Sequence, residues 1–107
     1  MPDIQFFDAS SFIAQRITEA EQTLIGKKTE LEILLANRRS LEATIASLSV
    51  LAPEHQKAIQ VELASLKEVL VSTERSLASL ESEVEILSQK LAALQAARNL
   101  IAVRERP

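Results

Sequence analysis

The sequence predicts an all-α antiparallel two-helix coiled-coil hairpin, on three observations. Apolar residues recur at strictly alternating spacings of three and four along most of the 107 residues. The repeat changes phase once, beside Pro53. The two phases mirror one another about position 52. A repeat averaging 3.5 residues keeps one stripe of a helix turned toward a partner helix, which is the signature of a coiled coil.

Residues 1–8 carry no helical period but are apolar at Ile4, Phe6 and Phe7. They read as a docking segment ahead of a helical hairpin spanning 9–107. Asp8 has the character of an N-cap, its carboxylate able to accept from the free amides of a first helical turn. Phe7 before that cap and Phe12 after it have the spacing of a hydrophobic staple.

The first helix is predicted at about 9–49, on the order of 60 Å long. Its seam is Ile13, Ile17, Ala20, Leu24, Lys27, Leu31, Leu34, Arg38, Leu41, Ile45 and Leu48. Gly26, the only glycine, lies inside it and costs about 1 kcal/mol relative to Ala. It reads as a tolerated weak spot, or alternatively as a bend or a place where a partner comes close to the backbone.

The turn falls near 49–53. Within a continuous helix Pro53 would remove a hydrogen bond and clash with the carbonyl of Ser49, at about 3 kcal/mol. At the first position of a new helix it is favourable. Glu54 beside it suits the positive end of a helix dipole.

The second helix is predicted at about 53–103, on the order of 75 Å. Its seam is Ile59, Leu63, Leu66, Leu70, Thr73, Leu77, Leu80, Val84, Leu87, Leu91, Leu94, Arg98 and Ile101. Residues equidistant from position 52 are paired seam to seam: Leu48 with Gln56, Ile45 with Ile59, Leu41 with Leu63, Leu24 with Leu80, Ile13 with Leu91. Helix breaker and heptad register therefore agree on a fold-back. One continuous helix of about 95 residues, treating the phase change as a stutter, is the competing reading; Pro53 opposes it. A three-helix bundle broken at Gly26 is a third. The hairpin's weak point is a turn without Gly, Asn or Asp.

Composition points away from several functions. The chain has no Cys, Trp or Tyr and a net charge of −3. Without Cys there is neither a disulfide framework nor a thiolate metal site. The mild charge does not suit a nucleic-acid glove, and the basic ending Arg98, Arg104, Arg106 has no aromatic residues interleaved for stacking on bases. Those arginines rather complement a helix C-terminus. No run approaches the roughly 18 apolar residues of a membrane span, and no basic-then-apolar leader opens the chain. The expectation is a cytoplasmic protein, or one inside a particle assembled there, and not a secreted one.

No catalytic, cofactor-binding or metal-binding residues are expected. His55 is the only histidine, with Glu54 as its one adjacent acid, and zinc wants three or four convergent ligands. Phosphate loops and nucleophile–base constellations are missing from the sequence. Most glutamates fall off the seam and read as a solvated face. Seam residues Arg38 and Arg98 are expected to lay their stems along the seam with the charge in water. Lys28 flanks the seam within reach of Glu74 or Glu81.

The informative surplus is apolar residues off the seam: Ile25, Ile33, Val61, Val71, Ile86, Leu100 and Val103, with Leu35 and Val69 widening the seam. The second helix also outruns the first beyond Gln95, where Ile4, Phe6 and Phe7 could cover Leu94, Leu100 and Ile101. The expected interface set is Ile4, Phe6, Phe7, Phe12, Val50, Leu51, Ile86, Leu100, Ile101 and Val103. It points to a non-enzymatic structural or assembly subunit whose partners are protein: itself, a larger assembly, or both. No small-molecule substrate and no nucleic acid are expected. An adaptor or chaperone-like hairpin, holding a client by its tip or groove, is the alternative.

Overall fold

The computed structural model describes residues 7–105. They form three helices: α1 at Ala9–Ser49, α2 at Pro53–Ala58 and α3 at Gln60–Glu105. The fold is an all-α hairpin in which α1 and α3 pack against each other. The continuous-helix alternative fails at Val50–Ala52, which leave the helical path between α1 and α2. The three-helix alternative fails at Gly26, through which α1 runs uninterrupted.

The seam is borne out. Every predicted seam residue is buried or half-buried except Arg98, which is exposed. The guanidinium is costly to desolvate, which accounts for an exposed side chain at this seam position. Among the described residues outside the seam, only Ala9, Ser10, Leu35, Gln56, Gln95 and Ala97 are shielded to a similar degree. Leu35 thus widens the seam as expected, whereas Val69 remains 48% exposed.

The chain divides into two compact units. One joins α1 through Gly26 to α3 from Val84. Its buried residues are Ile17, Ala20 and Leu24 on α1, accompanied by half-buried Val84, Leu87, Leu91 and Leu94 on α3. The other unit, Lys27–Glu83, contains the turn and buries Leu77 and Leu80.

The start of α1 follows the sequence reading. Asp8 caps the helix, accepting from the Ser11 amide at 3.2 Å and the Ser11 hydroxyl at 2.7 Å. Phe12 N–H donates to the Asp8 carbonyl at 3.0 Å. The Phe7 and Phe12 rings then meet with centroids 5.5 Å apart, completing the staple.

The turn is built without a left-handed residue, and none of the described residues has positive φ. Leu51 N–H closes onto the Leu48 carbonyl at 3.3 Å. Ala52 adopts φ −55°, ψ 152° and Pro53 takes the first helical position. No side chain caps α2; Ala52 instead offers its carbonyl to the amides of His55 and Gln56 at 2.9 and 3.0 Å.

The second predicted helix is corrected in two respects. It is interrupted at Ile59, whose φ of −109° and ψ of 14° lie off helical values. Hydrogen bonds nevertheless run across the break, from Ile59 N–H to His55 and from Leu63 N–H to Ile59. The seam therefore keeps its phase, and Ile59 stays half-buried. The helix also continues two residues past the expected end, to Glu105.

Candidate interaction surface

Three exposed apolar clusters are candidates for contact with other molecules, and local sequence positions each of them. Ile4 and Phe6 lie outside the described residues.

At the start of α1, Phe7 is 76% exposed and Phe12 41%. The rings pack on each other, and Arg16 lies over the Phe12 ring at 5.1 Å, a cation–π geometry. Arg16 is held there by Glu19 at 3.3 Å. Phe7 therefore folds onto its own helix start. Leu100 remains 55% exposed, so the expected cover over the end of α3 is not made by Phe7.

At the turn, Val50 is 84% exposed and Leu51 37%. Sequence reasoning missed what holds this tip. Gln56 Nε2 donates to the Ser49 carbonyl at 2.7 Å and the Leu51 carbonyl at 2.5 Å. A helix leaves its last four carbonyls without intrahelical donors, and here a side chain one turn into the next helix supplies one of them, at Ser49, and holds the Leu51 carbonyl of the turn as well. Its place opposite Leu48 in the register was the available signal. An amide rather than an apolar group facing Leu48 is what marks a polar task there.

Along α3, Ile86, Leu100 and Val103 are all more than half exposed. Ile101, expected among the interface residues, is half-buried because it belongs to the seam. Ile25 and Ile33 on α1, and Val61 and Val71 on α3, are exposed as expected.

The polar seam residues find partners of different kinds. Lys27, rather than Lys28, makes the ion pair between helices, with Nζ 3.2 Å from Glu83 Oε2 and 3.8 Å from Glu30 Oε2. The hydrogen bond that it donates to Glu83 and the charge of Glu30 raise the Lys27 ammonium above its ordinary value. Arg38 pairs along its own helix, Nε to Glu42 Oε1, at 3.6 Å. The Thr73 hydroxyl donates to the Val69 carbonyl at 2.9 Å, so it places no unsatisfied polar group on the seam. At Asp8 the Ser11 hydroxyl and amide hold the carboxyl below its ordinary value.

The described residues line several open grooves. One in the turn-containing unit is floored by Leu34 and Leu80 and edged by Lys27, Glu30, Arg75 and Glu83. Among the described residues no group of three or more His, Cys, Asp or Glu is placed to hold a metal ion. Among them, too, no helix is long and apolar enough to cross a membrane. The chain matches no protein-family model, no curated protein and no solved structure.

Proposed function

We propose that this chain is a non-enzymatic structural or assembly subunit, a stiff coiled-coil hairpin that packs into a larger multi-protein assembly such as a virion or a secretion-type machine. The observation that carries this reading is the exposed apolar set off the seam. Ile25, Val61, Ile86 and Val103 each leave more than 60% of their surface in water. Single exposed apolar residues are normal on any surface, but here they recur along both long helices. A neighbour lying alongside gains from covering them at roughly 25 cal/mol per Å² of apolar area.

The tip supports a second reading, an adaptor or chaperone-like hairpin that holds a client through Val50 and Leu51. The two readings separate by footprint. Solvent-accessibility labelling of the protein in its native cellular assembly, compared with the purified chain, is the test. Protection of Ile25, Ile33, Ile86 and Leu100 together supports the subunit. Protection of Val50 and Leu51 alone supports the adaptor. An unchanged pattern at all six positions refutes both.

A further inference from the structure

Beside the seam of α3 runs a line of residues that changes character where the two units divide. In alternating steps of three and four it reads Ser65, Val69, Ser72, Ser76, Ser79 and Glu83 in the turn-containing unit. In the other unit it continues as Ile86, Lys90, Ala93, Ala97, Leu100 and Arg104. The corresponding line of α1 reads Phe12, Arg16, Glu19 and Thr23 in that other unit, and Glu30, Ile33, Asn37 and Ser40 in the turn-containing one.

In the turn-containing unit both lines open onto grooves between α1 and α3. One groove sets Glu30 and Leu34 beside Ser76, Ser79, Leu80 and Glu83. Another sets Asn37, Ser40 and Leu41 beside Val69 and Thr73. Short side chains line the walls and seam leucines form the floor. The charged residues in these two lines are Glu30, Glu62 and Glu83, all exposed. Lys27 offsets one of the three from the seam. Arg75 and Glu68, at the edge of this side, offset each other. The side is therefore grooved, apolar at its floor and acidic.

In the other unit the same lines have the opposite character. Phe12, Ile86 and Leu100 stand out, at 41%, 64% and 55% exposed. The charges are Arg16, Lys90 and Arg104 against Glu19, and Glu19 is taken up by Arg16. Lys90 and Arg104 are exposed and have no ion-pair partner among the described residues. Glu21 and Glu85 fall outside these lines, and Glu105 falls in the phase of the seam.

We propose that this basic, apolar side of one copy of the chain docks on the acidic grooves of the turn-containing unit of a second copy. The proposal rests on the assembly-subunit reading and names one of its neighbours. Charge selects the occupant, because unlike sides attract whereas basic on basic and acidic on acidic repel. Relief agrees with charge. Protruding apolar side chains are on the basic side, and the acidic side offers a groove with walls of serine and a floor of leucine. Each copy gives one side and receives at the other.

Charge reversal on the full chain tests this. Sedimentation equilibrium of the unmodified chain is expected to show self-association in about 0.01 M sodium chloride. The dissociation constant is expected to rise by about an order of magnitude or more in about 1 M, where the Debye length falls from roughly 30 Å to 3 Å. Lys90→Glu with Arg104→Glu makes both sides acidic, and Glu30→Lys with Glu62→Lys makes both basic. All four positions are exposed, and circular dichroism checks that helicity is kept. Each double variant alone is expected to be monomeric, and an equimolar mixture of the two to associate again. Glu74→Lys with Glu81→Lys, an equal change of charge outside these lines, is expected to leave self-association in place. A monomeric unmodified chain at low salt, double variants that still self-associate, or a mixture that stays apart overturns the proposal. In that event, protection of Ile33 and Leu100 in the native cellular assembly still upholds the subunit reading with a different neighbour, whereas their full exposure there removes that reading as well.

Discussion

Replacing Gly26 by Ala separates the intrinsic cost of this residue from any use that a partner makes of it. Gly26 lies in the interior of α1, with no positive φ. A Cβ built there meets nothing within 4 Å. The substitution therefore brings no clash to offset the gain in helix propensity, which is about 1 kcal/mol for Gly to Ala. Part of that gain comes from the unfolded chain, which loses backbone freedom when Gly is replaced. For a domain of about 100 residues, 1 kcal/mol corresponds to a rise in Tm of about 4–8 °C. The assay is thermal unfolding followed by circular dichroism, at one fixed protein concentration because association shifts Tm. An unchanged or lowered Tm would refute the reasoning. A raised Tm for the purified chain, combined with loss of incorporation into the native assembly, would show that a partner backbone approaches at Gly26. Retention of both identifies the residue as a tolerated weak spot.

Three further outcomes follow from the packing and the polar contacts. Leu77, 2% exposed, is the most shielded of the buried residues, and Leu77→Ala is expected to cost about 2–5 kcal/mol in urea unfolding. Ile33→Ala, on a residue 57% exposed, should stay within about 0.5 kcal/mol; equal losses at the two sites would contradict the assigned seam. Gln56→Ala should cost about 1 kcal/mol by returning the Ser49 and Leu51 carbonyls to water. Gln56→Glu should cost more, since a carboxylate cannot donate and sits at the negative end of α1; a Glu variant as stable as wild type would remove the capping role. Finally, stability should fall at both extremes of pH. Asp8 is shifted below its ordinary 3.8, so its contribution is complete above that pH and is lost as pH drops through the lower folded value. Lys27 is shifted above its ordinary 10.5, so its contribution is complete below that pH and is lost as pH rises through the higher folded value. Asp8→Ala should flatten the acid limb and Glu83→Gln the alkaline limb of a Tm–pH profile; unaltered limbs would exclude these groups as the cause.

Much of the fold was legible because it depends on periodicity and on short-range chemistry. The phase of the seam, the Asp8 cap, the Phe7–Phe12 staple and the fold-back beside Pro53 each involve residues within a turn or two, or a repeat that the chain states many times. The interruption at Ile59 was not legible. The residue is apolar and in phase, and its departure from helical φ and ψ leaves the heptad count intact, so no pattern marks it. The candidate surface was legible as a list of apolar residues off the seam, but not as a set of clusters. The heptad count separates Ile101 on the seam from Leu100 off it, but it does not say that Phe7 stays on Phe12 and leaves Leu100 uncovered.

The sequence by itself determined which stripe of each helix is shielded and where the chain reverses, because a 3.5-residue period permits one inward face and a proline permits few places to break. Tertiary structure decided how polar groups on that stripe are satisfied. Lys27 crosses to Glu83, Arg38 stays on its own helix, Arg98 leaves for solvent and Gln56 closes the end of α1. Those choices depend on which atoms lie within about 3 Å once two helices are set side by side, and a one-dimensional spacing does not contain that distance.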